Sequence, residues 1–401
     1  MSTRAGASCL VSLPGEETWH GTAGQFARPR TLQAGEKGSK RMQVTGTRQR
    51  EAWQRAELPP VEKVAGGVWS IPVPIIDNPL RYVLSYLIEH DAGFVMIDPG
   101  WNHPDSWLAL TTGLEECEIP LSAVTGVLVT HVHPDHHGLS GKVASLTGAW
   151  VGMHPAEDKF LGLRGDNLMM RDSMAAFLRW CGAPASHLEE LISSRQHTAQ
   201  VEPMVRADRL VEHSQLIDAP GLRLRAVWTP GHTPGHLCFH DESRDLLLTG
   251  DHILPRITPN VSSYDMTSNP LADYLASVEK LRGLQPAEVL PAHEYRFTDL
   301  DSRLAFLASH HEERLAEAAE ILAGSPGGGD DAAGPAGLTA WEIATGVTWS
   351  RAWADLVSFQ RQAAVGEVLS HLRYLQARGL AAETDADGVG RWTPAGSSPA
   401  A

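Results

Sequence analysis

Cysteine is scarce in this chain of 401 residues, and the four that occur, Cys9, Cys117, Cys181 and Cys238, show no CxxC spacing. Such scattered thiols argue against a disulfide scaffold and against a thiolate zinc site, and they fit a reduced cytosolic protein. No apolar stretch approaches the roughly 20 residues that a membrane-spanning helix needs. The N-terminus also lacks the apolar segment of a secretory signal. We therefore expect a soluble, cytoplasmic protein without a membrane partner.

Basic residues are few as well, since 33 Lys and Arg stand against 48 Asp and Glu and give a formal net charge of -15. Non-specific affinity for nucleic acid comes mainly from clustered Lys and Arg, so this charge argues against a broad phosphate-binding face. It does not exclude a local basic site. Histidine, in contrast, is plentiful, and several of the 19 histidines lie in short clusters beside Asp, Gly and Pro. These clusters direct the search for a functional site.

The chain divides into one large region and one small region. Residues 1–60 show no sustained apolar period and are expected to be a poorly ordered extension. Residues 61–322 alternate short runs rich in Val, Ile and Tyr with helical patterns, which predicts an α/β domain, and 155–208 is predicted to be a helical insertion within it. The predicted strands are 67–75, 82–90, 93–98, 126–130, 149–153, 222–229, 236–240, 246–249 and 288–290, and the predicted helices are 136–147, 270–282 and 303–322.

Residues 323–337 are rich in Gly, Pro and Asp and are predicted to be a linker to a second domain at 338–398. Two helices followed by a hairpin suggest that this domain is a small winged-helix module of about sixty residues. Its predicted elements are a short helix that starts with a capping box at Thr339 and Glu342, a helix at 359–378, and strands at 380–384 and 389–393 that flank an Asp-Ala-Asp-Gly turn.

The richest motif is the segment 130–138, THVHPDHHG, which follows a predicted strand. His131, His133, Asp135 and His136 place three imidazoles and a carboxylate within six positions. Zinc prefers imidazole nitrogen together with some carboxylate oxygen, so these residues are a suitable set of ligands. At a strand end, residues two apart point the same way, which would let His131 and His133 bind one ion. The alternative is that these histidines cap a helix or line a polar loop.

Three later clusters also follow predicted strands. His232 lies in TPGHTPGH, Asp251 in TGDH and His293 in PAHE. Together with the first motif, four strand ends would deliver ligands to one edge of a sheet, which is how a site is assembled on a rigid scaffold. The sequence therefore predicts a metal site instead of isolated polar loops.

The motif HxHxDH, followed by isolated His, Asp and His in that order, resembles the metallo-β-lactamase superfamily over roughly residues 64–322. TPGHTPGH, TGDHILP and PAHE are most similar to the glyoxalase II-like and lactamase-beta-like hydrolases, and the latter include proteins with a C-terminal winged helix. The resemblance implies an αββα sandwich of two mixed sheets with helices outside and metals at one edge.

The resemblance also implies two Zn²⁺ ions per chain, one bound by three histidines, the other by a mixed set, with a carboxylate bridging them. The first set is His131, His133 and His232, the second is Asp135, His136 and His293, and the bridge is Asp251. Two such ions about 3.5 to 4 Å apart can share a hydroxide that attacks a carbonyl or phosphoryl centre. Asp135 is implied to be catalytic too, because its carboxylate would orient that hydroxide.

Neighbouring polar residues are expected to have supporting or ordinary roles. Asp98 matches a position that buttresses the metal loops in the family. His236 and His252 neighbour the candidate ligands in sequence, and His236 is expected on a strand face and His252 in contact with a ligand. His154 is not expected to bind metal. His137 is expected on the polar surface.

The segment 255–264 is expected to wall the substrate cleft, with Asn260 or Tyr264 in contact with substrate. A second candidate wall is the apolar part of the insertion, which could form a lid or an ordinary core. Its residues are Met169, Met170, Met174 and Phe177.

The resemblance implies hydrolysis of a small-molecule thioester or ester. The alternatives are a single-strand endoribonuclease, which has a similar two-domain layout, and a lactonase or β-lactam hydrolase, since the same hydroxide would open either ring. Residues 338–401 hold five basic and six acidic residues and lack the basic stripe of a nucleic-acid reader. We therefore expect a small-molecule substrate, and we expect the C-terminal module to pack against the catalytic domain or to form a homodimer.

Overall fold

A computed structural model of the chain describes residues 42–163, 167–193, 204–324 and 337–396. Within these ranges no helix has both the length and the apolar character that crossing a membrane requires. The helices are α1 Thr47–Arg55, α2 Pro104–Glu116, α3 Pro134–His137, α4 Ser140–Thr147, α5 Pro155–Leu163, α6 Asn167–Trp180, α7 Ala185–Ser193, α8 Pro270–Leu281, α9 Leu300–Ala323, α10 Ala340–Gly346 and α11 Ser358–Ala377.

Two mixed sheets form the centre of the larger region. The first has strands in the order β1 Glu62–Ala65, β2 Val68–Pro74, β3 Tyr82–His90, β4 Gly93–Ile97, β5 Val124–Leu128, β6 Trp150–Met153 and β7 Arg209–Leu210. The second has β8 Leu224–Trp228, β9 Leu237–Asp241, β10 Leu246–Gly250 and β11 Glu288–Pro291, in the order β11-β10-β9-β8. Strands β1 to β4 pair antiparallel and β4 to β7 pair parallel, while β10 pairs parallel with β11 and antiparallel with β9.

The sheets pack face to face because each strand alternates apolar side chains between its two faces. On β3, the even-numbered residues from Tyr82 to Ile88 meet Phe239 and Leu248 of the second sheet in one buried cluster. The odd-numbered Val83 and Leu87 point away from that cluster, toward helices on the outside.

Helices cover both outer faces. Leu110 and Leu114 of α2 and Val143 of α4 pack on the first sheet, and α8 and α9 pack on the outer face of the second sheet. The order of layers is therefore helix, sheet, sheet, helix, so the predicted αββα sandwich is confirmed as a mixed α/β fold.

The predicted N-terminal extension is too long. Residues 1–41 lie outside the described residues, but Thr47–Arg55 forms α1, where sequence analysis expects poor order. The helix is tied down by tertiary contacts: Gln49 Nε2 donates to Ser70 Oγ at 3.2 Å, and the ring of Trp53 packs edge-on against Tyr82 at 5.7 Å. Only a narrow face is buried, so the helix shows no strong apolar period in the sequence.

The insertion is helical, as predicted, in α5, α6 and α7. The proposed linker lies largely outside the described residues. The C-terminal region contains α10, α11 and the strands β12 Leu338–Thr339, β13 Ala381–Ala386 and β14 Val389–Pro394, which pair antiparallel in the order β12-β14-β13. The capping box of Thr339 and Glu342 is present at the start of α10.

The described residues of the C-terminal region share their core with the larger region. Phe177 and Leu191 of the insertion, Leu304 of α9, and Val365 and Leu369 of α11 belong to one continuous buried cluster. We call residues 337–396 the C-terminal module, and its packing against the catalytic domain agrees with the expectation. The shared cluster implies that the two parts unfold together.

Replacing Leu369 by alanine should therefore destabilise the whole chain. Leu369 is fully buried in the shared cluster, and such a truncation costs about 2–5 kcal/mol of unfolding free energy. Urea unfolding followed by two probes should show one coincident transition moved to lower urea. Leu380→Ala is the control, because Leu380 is 51% exposed and its loss should change stability by less than about 0.5 kcal/mol. Separate transitions for module and catalytic domain would contradict the shared core.

Candidate metal centre

The seven predicted ligands come from strand ends of both sheets. His131 and His133 follow β5, Asp135 and His136 lie in α3, and the other three residues follow β8, β10 and β11. The structure brings all seven together in two adjoining groups, in each of which the candidate ligand atoms lie within 4.8 Å of one another. The groups are His131, His133, His232 and Asp251, and Asp135, His136 and His293.

The first group, which we call the three-histidine site, is formed by His131, His133 and His232. The Nδ1 atom of His133 lies 2.8 Å from His131 Nε2 and 3.1 Å from His232 Nε2. Asp251 Oδ2 lies 3.6 Å from His232 Nε2 and 4.0 Å from His131 Nε2. Three imidazole nitrogens and one carboxylate oxygen therefore face a common point.

The second group, which we call the carboxylate site, is formed by Asp135, His136 and His293. Asp135 Oδ2 lies 3.7 Å from His136 Nε2 and 3.5 Å from His293 Nε2. The other oxygen of Asp251, Oδ1, lies 3.1 Å from His293 Nε2 and 3.5 Å from His136 Nε2. Each carboxylate oxygen of Asp251 thus faces a different group.

The donor atoms fit a bound cation. Both carboxylate oxygens of Asp251, Oδ2 of Asp135, and Nε2 of His136 and His293 are buried and have no hydrogen-bond partner. A buried polar atom left unpaired costs roughly 1–3 kcal/mol, so five that converge need a ligand to compensate them. Imidazole nitrogens and carboxylate oxygens are the donors that zinc and similar divalent ions accept.

Acceptors behind the histidines fix their orientation. The Nδ1–H of His136 donates to Asp98 Oδ2 at 2.7 Å, that of His232 to the carbonyl of Asn260 at 2.7 Å, and that of His293 to the carbonyl of Tyr82 at 2.8 Å. Since these oxygens can only accept, each ring keeps its proton on Nδ1 and offers the lone pair of Nε2 to a metal.

Asp98 makes the buttressing contacts that the resemblance to the superfamily implies. Besides His136, its carboxylate accepts from the backbone N–H of Thr130 at 2.8 Å and from the Thr130 hydroxyl at 2.6 Å. The residue is buried and has a positive φ of 52°, a backbone conformation that aspartate tolerates better than most residues. It therefore fixes the start of the HxHxDH loop as well as one of its rings.

Glu157 is a supporting residue that sequence analysis misses. Its Oε1 accepts from the backbone N–H of Val132 at 2.8 Å, and its Oε2 accepts from that of Gly235 at 2.7 Å. The side chain is fully buried at the start of α5, so the insertion joins the loop of His131 to the loop of His232. The only sequence signal is a carboxylate in the first turn of a helix, where it is common for other reasons.

Gly250 allows Asp251 to reach the centre. It adopts φ +50°, and a Cβ there would lie 2.6 Å from His236 Nε2 and 2.9 Å from Thr130. The N–H of Asp251 donates to His236 Nε2 at 3.2 Å, and His236 Nδ1 pairs with the Thr229 hydroxyl at 2.9 Å. His236, which was expected on a strand face, instead holds the backbone of Asp251 beside the candidate ligands.

The electrostatic surroundings of the histidines differ between the two groups. Burial lowers the pKa of His131 well below its usual value, and the neighbouring imidazoles of His136, His133 and His232 lower it further. For His136, burial acts in the same direction, but Asp251, Asp135 and Asp98 together raise its pKa well above the usual value. The carboxylate site is therefore the more negative of the two.

The surface position predicted for His137 is wrong. Its ring is buried, with Nδ1 2.8 Å from Ser140 Oγ and Nε2 donating to the carbonyl of Val205 at 2.8 Å. The C-terminal end of the insertion covers it at Val205, which the local pattern could not show. His154 stacks on Trp228 with ring centres 4.8 Å apart.

The structure describes the side chains of two of the four apolar residues expected to form a lid or a core. Met174 and Phe177 belong to the core shared with the C-terminal module, which is the ordinary-core alternative. The side chains of Met169 and Met170 lie outside the described residues. Tyr264 packs beside Phe160 of α5 with ring centres 6.4 Å apart, so the segment 255–264 meets the insertion.

The sequence profile of the metallo-beta-lactamase superfamily matches residues 78–293, which include all seven candidate ligands. The chain belongs to this superfamily. A metallo-beta-lactamase family protein from Thermus thermophilus is similar in structure, with a TM-score of 0.66 and 28% identity over 83% of this chain and 100% of that one. A beta-lactamase domain protein from Burkholderia ambifaria has a TM-score of 0.68 and 27% identity over 84% and 94% of the two chains.

Among curated proteins, this superfamily member is similar to the lactamase-like protein aptB of Emericella nidulans, with 26% identity over 65% of this chain and 66% of that one. Thioesterase pkgB of the same organism is 25% identical over 67% and 64% of the two chains. An atrochrysone carboxyl ACP thioesterase of a Cryptosporiopsis species is 24% identical over 63% and 62%. The chain thus spans less than two thirds of the length of these relatives. Family and names together support a metal-dependent hydrolase.

Removing single ligands should separate the two sites. On the expectation of two ions per chain, His133→Ala and His293→Ala should each lose one ion, whereas Asp251→Ala should lose both, because Asp251 faces both groups. Elemental mass spectrometry of the dialysed variants measures the number of ions that each retains. His154→Ala, at a histidine stacked away from the donors, should keep full occupancy. Two ions retained by Asp251→Ala would contradict the bridging position.

Glu157→Gln should weaken metal binding, although Glu157 is no ligand. A glutamine has one acceptor oxygen, so one of the two N–H groups that Glu157 satisfies would lose its partner. We expect about a tenfold loss of zinc affinity in chelator competition, at the lower end of such supporting changes. Asp158→Asn is the matched control on the same helix, because Asp158 pairs with Arg206 and not with the metal loops. Equal affinities for both variants would contradict the role of Glu157.

Proposed function

We propose that this superfamily member is a hydrolase with two zinc ions that cleaves a small-molecule thioester or ester. The observation that supports it is the place of Asp251, whose two oxygens face two separate donor groups. Two thioesterase-named relatives support the substrate class.

The exposure and position of the candidate ligands indicate how substrate would reach the metal centre. When bound, two divalent ions supply an activated water and positive charge that polarises the oxygen of the electrophile. His133 is the most exposed of the seven residues at 9%, and none of the others exceeds 2%, so substrate enters past His133. The Asp135 carboxylate, at the carboxylate site, accepts a hydrogen bond from the attacking water and holds it toward the substrate carbonyl.

We propose that the C-terminal module is of winged-helix type and that it packs against the catalytic domain to support it. Two helices followed by a hairpin, with β12 as a third strand, support this assignment. Five basic against six acidic residues in 338–401 leave it without a phosphate-binding stripe. Single-stranded RNA is thus the less supported substrate.

A substrate panel tests the proposal. Purified protein should turn over acyl-CoA thioesters faster than lactones, β-lactams or single-stranded RNA. In Asp135→Ala and in His131→Ala, kcat/KM should fall by more than about 100-fold, which is the upper end of the loss expected when a residue that only supports the ligands is changed. Glu189→Gln, at a carboxylate on the insertion surface that is 75% exposed, is the control and should keep wild-type kcat/KM. RNA cleavage without thioester turnover would overturn the substrate class.

A further inference from the structure

The segment 260–263 lies between the three-histidine site and the C-terminal module. On one side, the carbonyl of Asn260 accepts the Nδ1–H of the candidate ligand His232 at 2.7 Å. On the other side, the Asn260 side chain donates from Nδ2 to Glu367 Oε2 at 3.1 Å. Both Asn260 and Glu367 are buried, at 5% and 4% exposure. One residue therefore links a metal ligand to a carboxyl group on α11.

Further hydrogen bonds hold the same segment on α11. Ser262 Oγ donates to the carbonyl of Ala363 at 2.9 Å, and the N–H of Ser263 donates to the carbonyl of Gly366 at 3.0 Å. A Cβ at residue 366 would lie 2.8 Å from Ser263 O and 3.0 Å from Ser262 Cβ, so glycine permits the close approach. The segment is attached to the module over a full turn of helix.

Packing makes α11 a firm support. Val365 and Leu369 flank Glu367 and are fully buried in the core shared with the insertion and α9. Burial raises the pKa of Glu367 to about 7, against the opposing effects of Arg314 and of the hydrogen bond from Asn260. Burying a carboxyl group costs free energy, so this residue is poorly explained as a packing element alone.

We propose that Glu367 is a positioning residue for the three-histidine site: through Asn260 it fixes the carbonyl that orients the imidazole of His232. The C-terminal module thereby forms part of the metal centre, although it contributes no ligand. The inference rests on the proposed metal site and is independent of the substrate.

Glu367→Leu tests the proposal, because leucine has a similar volume and no acceptor. Zinc affinity at the three-histidine site should fall about tenfold, with affinity at the carboxylate site unchanged. Two-site chelator competition measures both, and the absorption bands of the cobalt-substituted protein report the geometry of the changed site. The melting temperature of the metal-free protein should change little, because removing the cost of burying the carboxyl group offsets the cost of leaving the Asn260 amide without its acceptor.

Three further variants separate positioning from general packing. Glu367→Gln keeps an acceptor oxygen and should retain wild-type affinity. Val365→Ala loosens α11 without touching Asn260, and should lower the melting temperature but not the affinity. Asn260→Ala should reproduce Glu367→Leu, and the double variant should be no weaker than either single variant, since both break one link. The Asn260→Ala result stands even if Glu367→Leu fails to fold.

Several outcomes would overturn the proposed role of Glu367. Unchanged affinity in Glu367→Leu and Asn260→Ala would overturn the proposal, as would an equal loss at both sites or the same loss in Val365→Ala. A wild-type protein that binds no divalent ion would overturn the proposed function together with this inference. A wild type that binds metal and hydrolyses thioesters, with variants like it, would overturn this inference alone.

Discussion

The two carboxylate oxygens of Asp251, buried without a hydrogen-bond partner between two groups of imidazoles, are the constraint around which this molecule is arranged. A carboxylate and five histidines taken out of water are costly unless their lone pairs meet a cation. The surrounding structure keeps those lone pairs directed at the same place. Asp98, the carbonyl of Tyr82 and the carbonyl of Asn260 each take the distal proton of one ring.

The sandwich explains why such an arrangement is rigid. Both sheets end at the same edge, so the candidate ligands that follow β5, β8, β10 and β11 meet there without long loops. The loops that remain are joined by buried acids, and Glu157 binds two of them at once. Because this residue belongs to the insertion, the insertion helps to hold the loops of the candidate site in place. Met174 and Phe177 of the insertion lie in the shared core and therefore stabilise the fold.

Local sequence was sufficient to predict most strands and the convergence of the polar residues that follow them, whereas the sandwich was implied by the resemblance to the superfamily. His232, Asp251 and His293 each follow a strand whose apolar alternation is visible in the chain, so their common edge follows from strand direction. The helix α1, the edge strands β1 and β7, and the burial of His137 were not predictable in this way. Each depends on what distant chain packs against it, such as Tyr82 against Trp53 or Val205 against His137. Glu157 was missed for the same reason, since its partners are backbone groups far along the chain.

The C-terminal module packs closely on the rest of the chain, although a segment rich in Gly, Pro and Asp precedes it in sequence. As expected for a module that packs against the larger region, α11 shares its core with α9 and the insertion. A module that packs so extensively needs few polar contacts for stability, and burying Glu367 against the segment 260–263 works against stability. The cost becomes intelligible if that carboxyl group helps to orient His232. In this proposal the C-terminal module keeps the candidate ligand His232 in place.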